Sequence, residues 1–225
     1  MPDLAVEWLG RVPYAEALEL QKKRVEARRT GVCGDVLLLL EHPPVITLGR
    51  SARPENLLTP VATLRERGVE VHEVARGGDV TWHGPGQLVG YLVLDLEARG
   101  ERDVHAHLRR IEAILIHALA GLGVPTGRRV GMTGVFVEPS EPPRKIASIG
   151  VGLRGWVTCH GFALNVAHDP RGFVDIVPCG LHGVVMTSVR EERGNADEAS
   201  ALLRKARDRV AESARRQLAS ASAIG

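Results

Sequence analysis

Cysteine, aromatic rings and long apolar runs are all scarce in this chain, and each scarcity removes a class of protein. Three cysteines, Cys33, Cys159 and Cys179, are odd in number and widely spaced. That pattern argues against a disulfide framework and for a reducing cytoplasm. No two of them form a CxxC pair, so a structural zinc site is not expected. Aromatic residues make up only 4% of the chain and the basic residues are scattered, so nothing marks a dedicated nucleic-acid surface. No apolar run approaches the length of a membrane span. The first residues, MPDLAVEWLG, lack the basic region and apolar run of a signal peptide. A strong charge of either sign is missing too. The net charge of +2 permits an acidic partner without demanding one.

What remains is an ordinary globular composition, long enough at 225 residues to bury a sizeable core. Tyr14 to Arg29 has helical spacing, with Tyr14, Ala17, Leu18, Gln21 and Val25 on one face and Gly31 as the stop. Val36 to Leu40 is continuously apolar and reads as a strand buried on both faces. His42-Pro43-Pro44 makes a tight turn into a strand over Val45 to Leu48. The segment Ser51 to Leu58 is irregular, and a short helix over Pro60 to Arg67 stops at Gly68. Strands are expected over Val69 to Val74 and Gln87 to Leu96. Asp103 is placed to cap a helix over Val104 to Ala120, with Val104, Leu108, Ile111, Leu115 and Leu119 as its buried stripe and Gly121 at its end. Further strands are expected over Val135 to Val137, Lys145 to Val151 and Val157 to Val166. The polar loop Glu138 to Arg144 precedes the second of these. Phe173 to Leu181 reads as a loop or a short irregular strand. Asn195, with Glu198 three residues on, is expected to cap a last helix ending near Leu218. Strands in succession with helices between groups indicate an α+β fold with one mixed sheet.

The stretch Arg76 to Leu96 organises the rest. Gly77 and Gly78 allow close backbone approach. Arg76 beside them suits a carboxylate, phosphate or carbonyl. Gly84-Pro85-Gly86 forms a stiff turn that holds His83 at a strand mouth. The stretch fits a ligand-lined pocket or, equally, a glycine-rich hairpin with a solvated arginine. Three other segments carry reactive groups: Lys145 in KIASIGVGL, His160 in TCHGFALNV and Cys179 in VPCGL. A free thiol of pKa ~8.5 is mostly protonated at neutral pH, so a nucleophilic cysteine needs a base or cation, which Lys145 or His160 could supply. Taken alone, Cys179 also fits an inert thiol, and Lys145 a strand-end cation. Cys159 adjoins His160, but strand alternation is expected to point them to opposite faces. The set His83, His160, His182 and Cys179 has no familiar metal-ligand spacing.

Together, RGGDVTWHGPGQLVGY, RKIASIGVG, HGFALNV and PCGL resemble the octanoyltransferases of lipoate biosynthesis, over about Val36 to Val189. The resemblance implies an α+β domain like that of the biotin and lipoate protein ligases, spanning residues 1–225. It implies transfer of an octanoyl group from acyl carrier protein to a lysine of a lipoyl domain, without ATP or any other cofactor. Cys179 matches the acyl-thioester nucleophile. Lys145 matches the lysine that activates the thiol and acts as general acid and base. Arg76, Gly77, Gly78, Asp79, Val80, Thr81, Trp82 and His83 match one pocket-lining segment. Ser148, Ile149 and Gly150 match a second, and Gly161, Phe162 and Ala163 a third. His160 matches a histidine near the reacting centre. The implied acceptors are the lipoyl domains of 2-oxoacid dehydrogenase complexes and the glycine cleavage H protein, with neither nucleic acid nor membrane as partner. Three positions depart from the family pattern: Trp82 for tyrosine, Phe136 for tryptophan and Phe162 for leucine. The last is expected to narrow the acyl slot. Two other readings remain: an ATP-dependent lipoate or biotin ligase, in which Cys179 is incidental, and a carrier-protein binding module, which needs neither Cys179 nor Lys145.

Overall fold

The computed structural model describes residues 4–181, 183–194 and 197–219. In chain order, β1 (Ala5–Arg11) leads into α1 (Tyr14–Arg29), and β2 (Val36–Glu41) into β3 (Val45–Leu48). Then come α2 (Val61–Glu66), β4 (Glu70–Glu73), β5 (Val80–His83), β6 (Gln87–Val93) and α3 (Val104–Ala120). The second half holds β7 (Thr126–Arg129), β8 (Met132–Val137), β9 (Arg144–Arg154) and β10 (Val157–Asn165). It closes with β11 (Val185–Met186), α4 (Val189–Glu192) and α5 (Ala199–Ala219).

The larger sheet runs β1-β2-β6-β10-β9-β8-β7, with β11 added beside β9, and the smaller runs β4-β3-β5. The β1–β2, β3–β4 and β9–β11 pairs are parallel and the others antiparallel, so both sheets are mixed. Two-sided burial of β2 is explicit. Val36, Leu38 and Leu40 join Ala17 and Val25 of α1 on one face. Leu37 and Leu39 join Ile111 and Leu115 of α3 and Val210 of α5 on the other. The small sheet has a separate core of Ile46, Leu64, Val80, Trp82, Phe173 and Ile176.

Helix α1 has the bounds its periodicity predicts, and Gly31 takes the left-handed conformation (φ 74°) that ends it. Asp103 caps α3 by accepting hydrogen bonds from the His105 and Ala106 N–H groups, an arrangement that contributes about 1 kcal/mol. The buried face of α3 differs from the predicted stripe. Val104 and Leu108 are only half-buried, while His107, Glu112, Ile114 and Ala118 are buried. The helix packs on α5 as well as on the sheet, and Ser213 of α5 donates to the Ile114 carbonyl at 2.8 Å. Its buried face is therefore wider than one stripe. The Asn195 cap lies outside the described residues. Glu198 precedes α5 and accepts from the Ser200 and Ala201 N–H groups. Strands β1, β7 and β11 carry little apolar alternation because they lie at edges or ends of the sheet, half exposed.

Candidate active site

A cavity of about 180 Å³ opens between the large sheet, the small sheet and the turn Pro178–Gly180. Proline fixes φ at the start of that turn. Cys179 follows in the left-handed region (φ 58°, ψ 16°), and so does Gly180 (φ 63°). This is an unfavourable conformation for a residue with a side chain, and it persists only where the surroundings enforce it. It brings Cys179 Sγ to 3.4 Å from Lys145 Nζ and 3.7 Å from Ser148 Oγ.

Lys145 extends from β9 and is 2% exposed. Its Nζ donates to the Thr133 carbonyl at 3.0 Å and lies 5.6 Å from the centre of the Phe136 ring. The side chain has room because residue 134 is a glycine. A Cβ there would sit 2.7 Å from Lys145 Cε and 2.6 Å from the Ala147 carbonyl, and the backbone is at φ 131°. The lysine is thus held by one carbonyl and one ring, with the thiol as its third neighbour. A thiol facing an amine and a thiolate facing an ammonium both satisfy that contact.

Arg76 is not a solvated arginine: it is buried at the cavity wall with most of its guanidinium engaged. Its guanidinium donates to the Thr47 carbonyl and hydroxyl at 2.8 Å and to the Gly77 carbonyl at 3.1 Å. Burial pushes it below the ordinary arginine value, opposed by the neighbouring Tyr14 and Cys179. Arg76 therefore fastens the glycine loop to β3, while the Gly77 N–H bonds the Val151 carbonyl at 2.8 Å. Along β5 the side chains alternate. Thr81 and His83 line the cavity with Arg76, Gly78 and Asp79, whereas Val80 and Trp82 turn into the small-sheet core. Gly77 is not among the lining residues. Ser148, Ile149, Gly150, His160, Gly161, Phe162 and Ala163 all border the cavity. The ring of Phe162 lies across Gly90, filling space that any side chain at 90 would take, and joins the core under α3 and α5.

His42, His83 and His160 are held neutral by burial. Gln87 donates to the Trp82 carbonyl and the Asn165 side chain, so its Oε1 accepts from His83 Nδ1 at 2.7 Å. Burial lowers the His83 pKa to about 3. His42 donates through Nδ1 to the Val12 carbonyl, which leaves Nε2 to accept from the Tyr91 hydroxyl; both contacts are 2.7 Å. Burial, reinforced by Arg76 and Arg50, lowers the His160 pKa to about 4.

Strand alternation fails at His160. Its φ is 58°, and its N–H donates to Gln21 of α1 at 2.8 Å. A Cβ on Gly152 would lie 2.8 Å from Cys159 Sγ and 3.5 Å from His160 Cδ2, so both side chains approach one point from the same face. The expectation that Cys159 and His160 diverge is therefore corrected. Burial pushes the Cys159 thiol up, away from the reactive form. Among the described residues no group of three or more His, Cys, Asp or Glu side chains could hold a metal ion; His182 lies outside them. Thr47, Thr133 and Gly134 are structural partners of the site that the sequence reading did not single out. A carbonyl acceptor such as Thr133 leaves no trace in a sequence. The glycine inside MTGVFV was the one available signal of a close approach.

The lipoyl protein ligase A/B catalytic domain family matches residues 13–211. The octanoyltransferase of Acidobacterium capsulatum is 51% identical over 192 residues, covering 82% of this chain and 78% of that protein. The octanoyltransferase of Koribacter versatilis is 49% identical, covering 84% and 75%. The chain belongs to the octanoyltransferase family. It is an acyltransferase of protein lipoylation. Solved structures agree on the fold. A bi-partite lipoate protein ligase from Thermoplasma acidophilum superposes with a TM-score of 0.73 at 14% identity, over 96% of this chain and 84% of that one. Lipoate-protein ligase A bound with ATP gives 0.71 at 14% identity, over 97% and 86%. No helix among the described residues is long and apolar enough to cross a membrane.

Proposed function

We propose that Cys179 carries the octanoyl group as a thioester between two transfers, with Lys145 moving the proton at each. The observation that carries this reading is the 3.4 Å contact between Lys145 Nζ and Cys179 Sγ at the wall of the cavity. In the first transfer Cys179 Sγ attacks the thioester carbonyl of octanoyl-acyl carrier protein. Lys145 takes the thiol proton and returns it to the departing phosphopantetheine thiol. In the second, the neutral amine of an acceptor lysine attacks the Cys179 thioester. The amide forms, the C–S bond breaks, and the amine proton passes through Lys145 back to Cys179. The donor is already activated, so no ATP is consumed. The apolar lining, with Val89 and Ala163 buried and Ile149 half-buried, suits an eight-carbon chain, each buried methylene contributing about 0.8 kcal/mol.

The acceptors on this reading are lipoyl domains of 2-oxoacid dehydrogenase complexes and the glycine cleavage H protein, modified in the cytoplasm by residues 1–225 acting as one catalytic domain. An ATP-dependent ligase activates its acid as an adenylate and has no use for a thiol held against a buried lysine. That contact favours the transferase. The test is incubation with octanoyl-acyl carrier protein alone, without ATP. One octanoyl group should accumulate, removable by hydroxylamine and mapping to Cys179 rather than Cys33 or Cys159. A lipoyl domain added afterwards should clear it. Near wild-type transfer by Cys179→Ala, or a requirement for ATP and magnesium, would overturn the reading.

A further inference from the structure

The turn that presents Cys179 is held in place from the opposite half of the chain. Val177 donates its N–H to the Asn56 carbonyl at 2.8 Å, and Leu57 forms a bridge with Ile176. Asn56 is 4% exposed, buried in a short 3₁₀ turn between β3 and α2. Its side-chain Nδ2 donates to Asp79 Oδ2 at 2.5 Å. Asp79 Oδ1 accepts the Val80 N–H at 2.6 Å and the Arg53 N–H at 3.2 Å. The two carboxylate oxygens are thus divided, one for backbone and one for Asn56. The pair also abuts the turn itself. A Cβ on Gly180 would lie 2.6 Å from Asp79 Oδ2 and 3.1 Å from Asn56 Nδ2.

From this geometry we infer that Asn56 and Asp79 are positioning residues, a polar clamp that keeps Cys179 in its left-handed conformation beside Lys145. The inference rests on Cys179 being the nucleophile. Neither residue touches Sγ in a hydrogen bond. They act through the backbone of 177 and the packing of Gly180. A left-handed residue with a side chain relaxes when its neighbours allow it, and relaxation would swing Sγ away from Nζ. Loss of the clamp therefore reduces the rate of the chemical step and leaves recognition of the donor alone.

The divided carboxylate makes a reciprocal exchange possible. In Asn56→Asp two carboxylates face each other across the contact and repel. In the double variant Asn56→Asp/Asp79→Asn, the new amide at 79 keeps Oδ1 on the Val80 and Arg53 N–H groups. Its Nδ2 donates to the new carboxylate at 56, restoring the bond with its polarity reversed and the net charge unchanged.

The experiment measures, for the full-length chain, the single-turnover rate at which octanoyl-acyl carrier protein acylates Cys179, the donor KM, and the thermal midpoint. Asn56→Ala and Asn56→Asp should lower the acylation rate at least tenfold with donor KM within twofold. The double variant should recover most of the loss relative to Asn56→Asp. If the double variant is as slow as Asn56→Asp while its thermal midpoint matches wild type, the clamp is overturned. Wild-type acylation by Asn56→Asp overturns it as well. Cys179→Ala is the control that separates the two readings. Retained transfer there sinks the nucleophile assignment, whereas an inactive Cys179→Ala beside a fully active Asn56→Asp sinks the clamp alone.

Discussion

Two adjacent cations show how much depends on where a charge is placed. Arg144 is 41% exposed and pairs with Glu192 at 3.3 Å, a surface contact of the kind that contributes ~0–1 kcal/mol. Lys145, one residue on, is buried against the thiol. Lys145→Ala should lower the acylation rate by roughly 10²–10⁴-fold, the usual contribution of a positioned proton carrier. Arg144→Ala should stay close to wild type. Lys145→Arg should fail too, because a guanidinium does not give up its proton. Equal, mild losses at both positions in single-turnover assays would leave Lys145 no catalytic role. Lys145 and Cys179 were legible as residue types in sequence, since PCGL and RKIASIG stand out. His160 was legible as a residue of the site, but the direction of its side chain was not. Strand alternation assumes β-region dihedrals, and nothing in TCHGFALNV announces a histidine at φ 58°.

At the scale of elements, the buried strands and the capped helices were readable because burial on both faces, caps and stop glycines all leave marks. Edge strands β1 and β7 were not, because a half-exposed strand has little to alternate. Strand β5 escaped for the opposite reason. All four of its residues are buried between two layers, so polar Thr81 and His83 occur where apolar residues are expected. The β8–β9 pair shapes the surroundings of Lys145. Gly134 of β8 gives its N–H to Glu112 of α3 at 3.2 Å and leaves the space through which Lys145 passes. Gly134→Ala adds a methyl against both the Lys145 stem and the Ala147 carbonyl, at a backbone angle that resists a side chain. It should displace Nζ and lower the acylation rate at least tenfold while the circular-dichroism spectrum persists. A crystal structure of Gly134→Ala with the Lys145–Cys179 contact intact and full activity would refute this account of the site.

For the molecule as a whole, five buried histidines add an acid response. His42, His107, His160 and His168 are each lowered to about 4 and His83 to about 3, all first by burial. The unfolded chain takes up these protons near pH 6.5 and the folded chain only near 4 or below. Between those values the unfolded state binds more protons, so stability is full above pH 6.5 and falls as pH drops toward 4. Each histidine contributes at most about 1.4 kcal/mol per pH unit in that window. The thermal midpoint should therefore decline steadily from pH 7 to pH 5, and a flat profile would mean that these rings are solvated. Association has its own electrostatic signature. The chain is slightly basic, with a net charge of +2, and acyl carrier proteins are acidic. The donor KM should rise between low and physiological ionic strength, and no change would exclude charge-guided docking. The bridge between Leu57 and Ile176 has a further meaning for the life of the chain. Lys145 comes from β9, Cys179 from a turn beyond β10, and the segment that seats that turn emerges from the ribosome far earlier. Contacts so distant along the chain form late and slowly. A nascent or partly folded chain can thus hold much of its helix and sheet while Cys179 and Lys145 are still apart, and the pair closes only when the two halves meet.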